Sequence, residues 1–387
     1  MWQGRTRHIE RPPIAAVNAL AAELAAEGTD LINLGQAVLG LPPPSSAIAQ
    51  VRRYLHTARE HPYSPDPGLP EVLEAVAGFV EKRKGLSPVS TANLVLTCGA
   101  NQAFVNALMT VTDPGDEVVF FGPNYFDHVF AIKLAGCVPV EVPLTVENRR
   151  FTVDFDAVEA ALTPRTRVLV MVSPGNPTGA VLSRTEVARL CELTAGHGRW
   201  LFSDETYDLL TFPPAVHTSP AQLGIHDSIV VLGSFSKTFA LAAWRVGYTF
   251  GPEQFIEESI KVQDALTVCA PVPSQMAVMG ALEDVDGFVV PALAELQRRR
   301  DAMLAAVQSC PYLEPVIPDG ATFVPCRITT GEDSLPFSKR ILKLTGIITV
   351  PGSAFGQYGE GWVRLSYGNQ PVARIEEAGV RLKAVVR

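Results

Sequence analysis

The sequence predicts an α/β protein: a large domain with a mostly parallel central sheet covered by helices, joined to a smaller α+β domain. Three observations carry this. The chain has 387 residues, too many for one small core, so one large and one smaller domain is the natural division. Short β-branched runs recur without polar alternation, which marks strands buried on both faces of a parallel sheet. Each of those runs ends abruptly in Gly, Pro, Ser, Asp or Asn, and ligands of open α/β sheets sit beyond the carboxyl ends of the strands.

In chain order, "PEVLEAVAGFVEKRKG" (70–85) predicts a helix. The strands follow as "NLVLTCGANQ" (93–102), "EVVFFGPNY" (117–125), "RVLVMVSPGNP" (167–177), "RWLFSDETY" (199–207) and "SIVVLGSFSK" (228–237). Between the third and fourth lies a predicted helix, "SRTEVARLCELTAGHG" (183–198), with Ser183 as N-cap, Glu186 completing a capping box and glycines at its end. We assign 46–290 to the large domain. From about residue 290 the character changes: a long helix (291–308), short strands around "GATFVPCRI", "GIITVPG" and "GWVRLSYG", and a final helix near 371–387. These residues and the N-terminal segment 1–45 are expected to form the small domain.

Composition narrows the function. A net charge of −8 with no basic run argues against a nucleic-acid surface, and "QRRR" at 297–300 reads as the solvated face of a helix. No apolar run approaches the roughly 20 residues that span a bilayer, and the first residues contain no apolar signal core, so a cytoplasmic protein without membrane contact is expected. The six cysteines are scattered without C-x-x-C spacing, which suits free thiols rather than disulfides or a metal site; no metal is expected.

The strand exits carry the chemistry. Gly99, Ala100 and Asn101 follow a strand and open a helical segment, so their N–H groups can hold an anion. Ser234, Ser236 and Arg245 add the hydroxyls and guanidinium that fix a phosphate. Asp204 ends a buried strand, where a carboxylate needs a cationic partner, and a protonated heterocycle would serve. Asn176 and Tyr207 can bond a phenolate-type oxygen, and Tyr125 offers a flat face for stacking. Lys237, in "SFSKTFA", places an amine where the surroundings read as buried. Together these needs describe pyridoxal 5′-phosphate, whose aldehyde Lys237 would hold as a Schiff base.

Over nearly its whole length the chain resembles the class I/II aminotransferases of PLP fold type I, which are aspartate aminotransferase-like. "YSPDPGLPEV", "GPNYFDHV", "SPGNPTGAVLS", "SDETYD", "SFSKTFALAAWRVGYTFG", "PGSAFG" and "WVRLSYG" occur in that family's order and spacing. The resemblance implies transfer of an amino group from an L-amino acid to a 2-oxo acid. Lys237 would be the Schiff-base lysine and proton shuttle, Asp204 the partner of the pyridine nitrogen, and Asn176 and Tyr207 the partners of the phenolic oxygen. Tyr125 would stack on the ring, and Gly99, Ala100, Asn101, Ser234, Ser236 and Arg245 would hold the phosphate. Arg364 would clamp the substrate α-carboxylate with help from Asn176 and the backbone at Gly35. Tyr63 would reach the phosphate of a neighbouring subunit, implying a homodimer with shared active sites. Non-transaminating chemistry on the same fold, such as elimination, replacement or cyclisation, is the alternative.

The chain departs from the family pattern in places. Ala242-Ala243-Trp244 precedes Arg245 where relatives carry a glycine, and Asn101 stands where aspartate-specific bacterial relatives often carry a lysine. Thr322 replaces a frequent aromatic residue and is expected to widen or polarise the substrate pocket. His128, three residues after Tyr125, is expected to have no catalytic part.

Overall fold

A computed structural model describes residues 4–10, 12–57, 60–86, 89–224 and 227–385. Its centre is an eight-stranded sheet. In spatial order the strands are Leu94–Thr97, Gly247–Phe250, Ile229–Ser234, Trp200–Asp204, Thr166–Val172, Glu117–Gly122, Val138–Glu147 and Arg150–Val153. Four successive neighbour pairs, from Ile229–Ser234 to Val138–Glu147, are parallel. The strand Gly247–Phe250 runs antiparallel to both of its neighbours, so the five strands named in the sequence all point the same way. Leu94–Thr97 and Ile229–Ser234 are buried at every position, as expected for strands covered by helices on both faces.

The helices follow the sequence signals closely. Pro70–Lys84 starts with proline at its first turn and ends at Gly85 in the left-handed region, the usual arrangement of a rigid start and a permissive stop. Arg184–Thr194 is capped by Ser183, whose hydroxyl accepts from the Glu186 N–H at 3.2 Å while Glu186 accepts from the Ser183 N–H at 2.7 Å. It ends before Gly196 and Gly198 rather than running through them.

A second sheet, Leu313–Pro315, Phe323–Ile328, Trp362–Ser366 and Val350–Pro351, is antiparallel throughout. The N-terminal segment joins it on this side of the molecule. Ile32–Asn33 pairs in parallel with Ile347–Ile348, and Val17 and Ala21 of the helix Ile14–Ala26 pack with Leu342 and Ile348. The final helix is Val372–Lys383; the last two positions of the expected range lie outside the described residues.

Two expectations need correction. The long helix is Val285–Gln308, with Pro291 inside it. Its true start is set by Asp284, whose carboxylate accepts from the Gly287 N–H at 2.9 Å, so the helix begins six residues before the expected position 291. Val285 and Val289 pack on the large-sheet core and Leu296, Met303 and Val307 on the second core, so this helix bridges the two. Nor is "QRRR" simply a solvated face. Arg299 is buried and donates to the Gly368 carbonyl at 2.7 Å, while Arg300 lies over the Phe212 ring at 4.4 Å.

Candidate active site

The strand exits converge on one cleft of about 310 Å³, walled on its other side by the N-terminal segment and by Arg364. The turn after Leu94–Thr97 places Gly99 at φ +82° as the residue before the helix Ala100–Val111. A side chain there is doubly disfavoured: the backbone is left-handed, and a Cβ would lie 2.7 Å from an Arg245 guanidinium nitrogen. The first N–H groups of this helix have no intrahelical acceptor. Ser234 and Ser236, both buried, line the same cleft, and with Arg245 they form an anion cup. Arg245 follows the short turn Ala242–Trp244, itself at φ +50°, and donates to the Ala242 carbonyl at 2.9 Å.

Lys237 enters the cleft from the end of the strand Ile229–Ser234, and its ammonium donates to the Ala37 carbonyl. Burial, with the Arg364 and Arg245 charges nearby, lowers its pKa to about 8. An ordinary lysine stays protonated to about 10.4. This one is within reach of being a neutral amine near neutral pH, the form that attacks an aldehyde.

Asp204 is buried at the cleft wall. Its Oδ1 accepts from the Thr206 N–H at 3.0 Å, and its Oδ2 lies 3.0 Å from His128 Nε2. Burial pushes this carboxyl up, but His128 and the Thr206 hydrogen bonds together outweigh burial and hold it below the ordinary carboxylate value. His128, expected to have no catalytic part, is thus a direct partner of Asp204. It is buried, stacks on Phe104 with ring centroids 4.2 Å apart and meets the Tyr125 ring edge-on. Its place three residues after Tyr125 at the start of the helix Phe126–Ala135 was visible; its partner, across the sheet, was not.

Tyr125 lines the cleft and donates its hydroxyl to Asp127 Oδ2 at 2.6 Å, and Asn101 Nδ2 donates to the same oxygen at 2.8 Å. Burial and the Asp127 charge keep the Tyr125 phenol protonated. Asp127, which fixes the Tyr125 ring, is a second residue the sequence reading missed. Tyr207 is buried at the cleft, and burial likewise raises its phenol well above the usual value.

At the far end, Arg364 donates from one terminal nitrogen to Asn176 Oδ1 at 2.8 Å and from the other to the Gly35 carbonyl at 2.7 Å. The Phe323 and Phe355 rings lie 4.7 and 5.0 Å from the guanidinium carbon. Burial lowers its pKa to about 10, so it stays cationic at neutral pH, and its buried Nε has no partner. Gly35, Asn176 and Arg364 are thus together, from segments far apart in the chain.

Two residues named from the sequence lie outside the cleft lining. Thr322 is not in the cleft lining: it is buried beside the second sheet with its backbone carbonyl accepting from the Tyr367 N–H at 2.9 Å, so it neither widens nor polarises the pocket. Tyr63 does not line the cleft either and is 78% exposed. All six cysteines are free. Among the described residues there is no cluster of potential metal ligands and no helix long and apolar enough to cross a membrane.

Residues 29–382 match the family model for aminotransferase class I and II. The chain belongs to the class I and II aminotransferases. This aminotransferase is 33% identical to the aromatic-amino-acid aminotransferase 2 of Thermococcus litoralis, over 92% of each chain. It is also 33% identical to the aspartate aminotransferase of Pyrococcus abyssi, over 94% of each. Among solved structures, the aspartate aminotransferase from Thermus thermophilus with maleate superposes with a TM-score of 0.93, at 32% identity, over 100% of both chains. The large mostly parallel sheet and the chemistry expected of the aminotransferase are those of its relatives.

Proposed function

We propose that this aminotransferase carries pyridoxal 5′-phosphate in the cleft and moves an amino group from an L-amino acid with an uncharged, apolar side chain to a 2-oxo acid. The observation that carries the reading is the convergence of Lys237, Asp204 and Arg364 on one cleft. The residues fit the group. The helix start at Gly99, Ala100 and Asn101, with Ser234, Ser236 and Arg245, suits a phosphate, and the buried Asp204 carboxylate suits a protonated ring nitrogen. When bound, the cofactor supplies an electron sink that stabilises negative charge at the substrate Cα.

The chain's own residues do the rest. Lys237 would hold the cofactor through its aldehyde carbon, and as a neutral amine it is the group placed to take the proton from the substrate Cα. Asn176 and Tyr207 would bond the phenolic oxygen, and Tyr125, locked by Asp127, would offer its ring for stacking. Arg364 takes the α-carboxylate with its planar fork, fixing which bond at Cα stands toward Lys237.

The side-chain end decides the substrate class. The cations lining the cleft are Lys237, Arg245 and Arg364, and each has a task in this reading. The remaining wall includes Ile14, Val38 and Phe126, and Asp127, the acceptor of the lining residues Asn101 and Tyr125, adds negative charge behind them that disfavours a second substrate carboxylate. The exposed Tyr63 supports a homodimer in which it reaches the partner's phosphate site.

The test is a half-reaction. With no acceptor present, phenylalanine or leucine converts the bound cofactor's absorbance to that of its amine form, and a 2-oxo acid restores it. Aspartate does so with at least tenfold lower efficiency, about 1.4 kcal/mol. Release of ammonia without absorbance recovery, or a preference for aspartate, sinks the corresponding half of the reading.

A further inference from the structure

The turn that carries Asp204 and Tyr207 has a second side. In Asp204-Glu205-Thr206-Tyr207-Asp208, the first, third and fourth residues line the cleft, whereas Glu205 and Asp208 do not. Those two carboxylates are buried behind it, at 0% and 7% exposure, and meet the same ammonium. Lys84 Nζ, in the last turn of the helix Pro70–Lys84, bonds Glu205 Oε2 and lies 2.7 Å from Asp208 Oδ2. Lys84 is itself only 2% exposed.

The rest of the nest is polar and closed. Glu205 Oε1 accepts from Ser203 Oγ at 2.9 Å and from Ser219 Oγ at 2.6 Å, and His217 Nε2 lies 3.2 Å from Glu205 Oε2. The Tyr248 ring centroid is 6.0 Å from Nζ, and the Lys84 carbonyl accepts from Gln222 Nε2. Burial alone would raise the Glu205 carboxyl; the Lys84 ammonium, with His217, outweighs it and holds the carboxyl far below its usual range. Glu205 is therefore held as a carboxylate against the Lys84 ammonium.

Desolvating such charges is expensive, and well-packed apolar side chains often hold a core equally well. What the ion cluster does that apolar packing cannot is fix direction. Glu205 and Asp208 are the residues that directly follow Asp204 and Tyr207. Pinning both to one buried cation sets the backbone rotation at two points of a five-residue turn. We infer that Lys84 is a positioning residue: through Glu205 and Asp208 it aims the Asp204 carboxylate and the Tyr207 phenol into the cleft. This rests on the reading of Asp204 and Tyr207 as cofactor partners.

The test uses the cofactor-loaded protein. Lys84→Met removes the ammonium, and Lys84→Met/Glu205→Gln removes the pair at unchanged local net charge, which keeps a folded variant available if the single change does not fold. Cofactor affinity by equilibrium dialysis, the pH midpoint of the bound cofactor's absorbance, kcat, KM and the thermal midpoint are compared with the unaltered protein. We expect about tenfold weaker cofactor binding, a displaced absorbance midpoint and about tenfold lower kcat, with KM for the amino acid within about twofold because Arg364 is untouched. Lys84→Arg recovers part of each. A lowered thermal midpoint with unchanged kcat, cofactor affinity and absorbance overturns the inference and leaves Lys84 a stability residue. If the unaltered protein neither binds the cofactor nor shows the half-reaction, the proposed function fails instead.

Discussion

Under the proposed function, the end of the cleft that would face the cofactor is carried by strand exits of one sheet, whereas the end that would take the α-carboxylate is assembled from Gly35, Asn176 and Arg364, which come from three separate parts of the chain. In the first, a short segment supplies several functional groups at once: Ser234, Ser236 and Lys237 leave one strand, and Asp204 and Tyr207 leave its neighbour. In the second, each contact closes a loop of hundreds of residues, since Arg364 meets Asn176 and Gly35 at sequence separations of 188 and 329. The cofactor end is thus anchored in the large-sheet core. The carboxylate end spans the large sheet, the second sheet and the N-terminal segment, so it depends on how those parts sit together.

The contrast predicts that the carboxylate end is the more brittle to conservative change. Arg364→Lys keeps the charge but loses the fork that reaches Asn176 and Gly35 together, and leaves their oxygens less well met. We expect kcat/KM to fall about 10- to 100-fold, in line with about 1.5–3 kcal/mol for a charge-assisted bond, and mainly through KM. Cofactor affinity should stay unchanged. Steady-state kinetics beside cofactor dialysis check this, and a loss of cofactor affinity as large as the loss in kcat/KM would break the division between the two ends.

His128→Phe sharpens the comparison from the other side. The ring still stacks on Phe104, but Asp204 loses the partner at its Oδ2. Its carboxyl then rises with burial, and kcat is expected to fall about tenfold with KM within about twofold, the reverse of the Arg364 pattern. Parallel measurement of kcat and KM for the two variants is enough, and a His128→Phe protein with unchanged kcat would return His128 to a packing role.

Legibility followed the same division. The strands, their direction and the cofactor end could be read because a buried run followed by a polar turn is a local signal. Ser183 and Glu186 were equally local. The carboxylate end came from family resemblance alone, because no spacing links Gly35 to Arg364. His128 and Lys84 were missed for a related reason: each looks like an ordinary helical residue until the sheet order brings Asp204 beside one and Glu205 beside the other. Thr322 was misplaced because an aromatic-to-Thr change reads as a pocket change, whereas the residue is buried away from the cleft lining.

The smallest expected effect concerns Asn101, where aspartate-specific relatives often carry a lysine. Asn101→Lys puts an ammonium at the cleft rim, close to where a second substrate carboxylate would lie. In this chain the same site also faces Asp127, which already accepts from Asn101 and from the Tyr125 hydroxyl. The new cation therefore pairs with Asp127 first and reaches the substrate only in part. A partly exposed pair is worth about 0.2–1 kcal/mol, so kcat/KM for aspartate should rise only two- to fivefold, while that for phenylalanine changes less. Competition kinetics with the two amino acids read the ratio directly. A rise of about a hundredfold or more would mean that one rim residue selects the substrate, and that the carboxylate end is far less distributed than its three-segment construction implies.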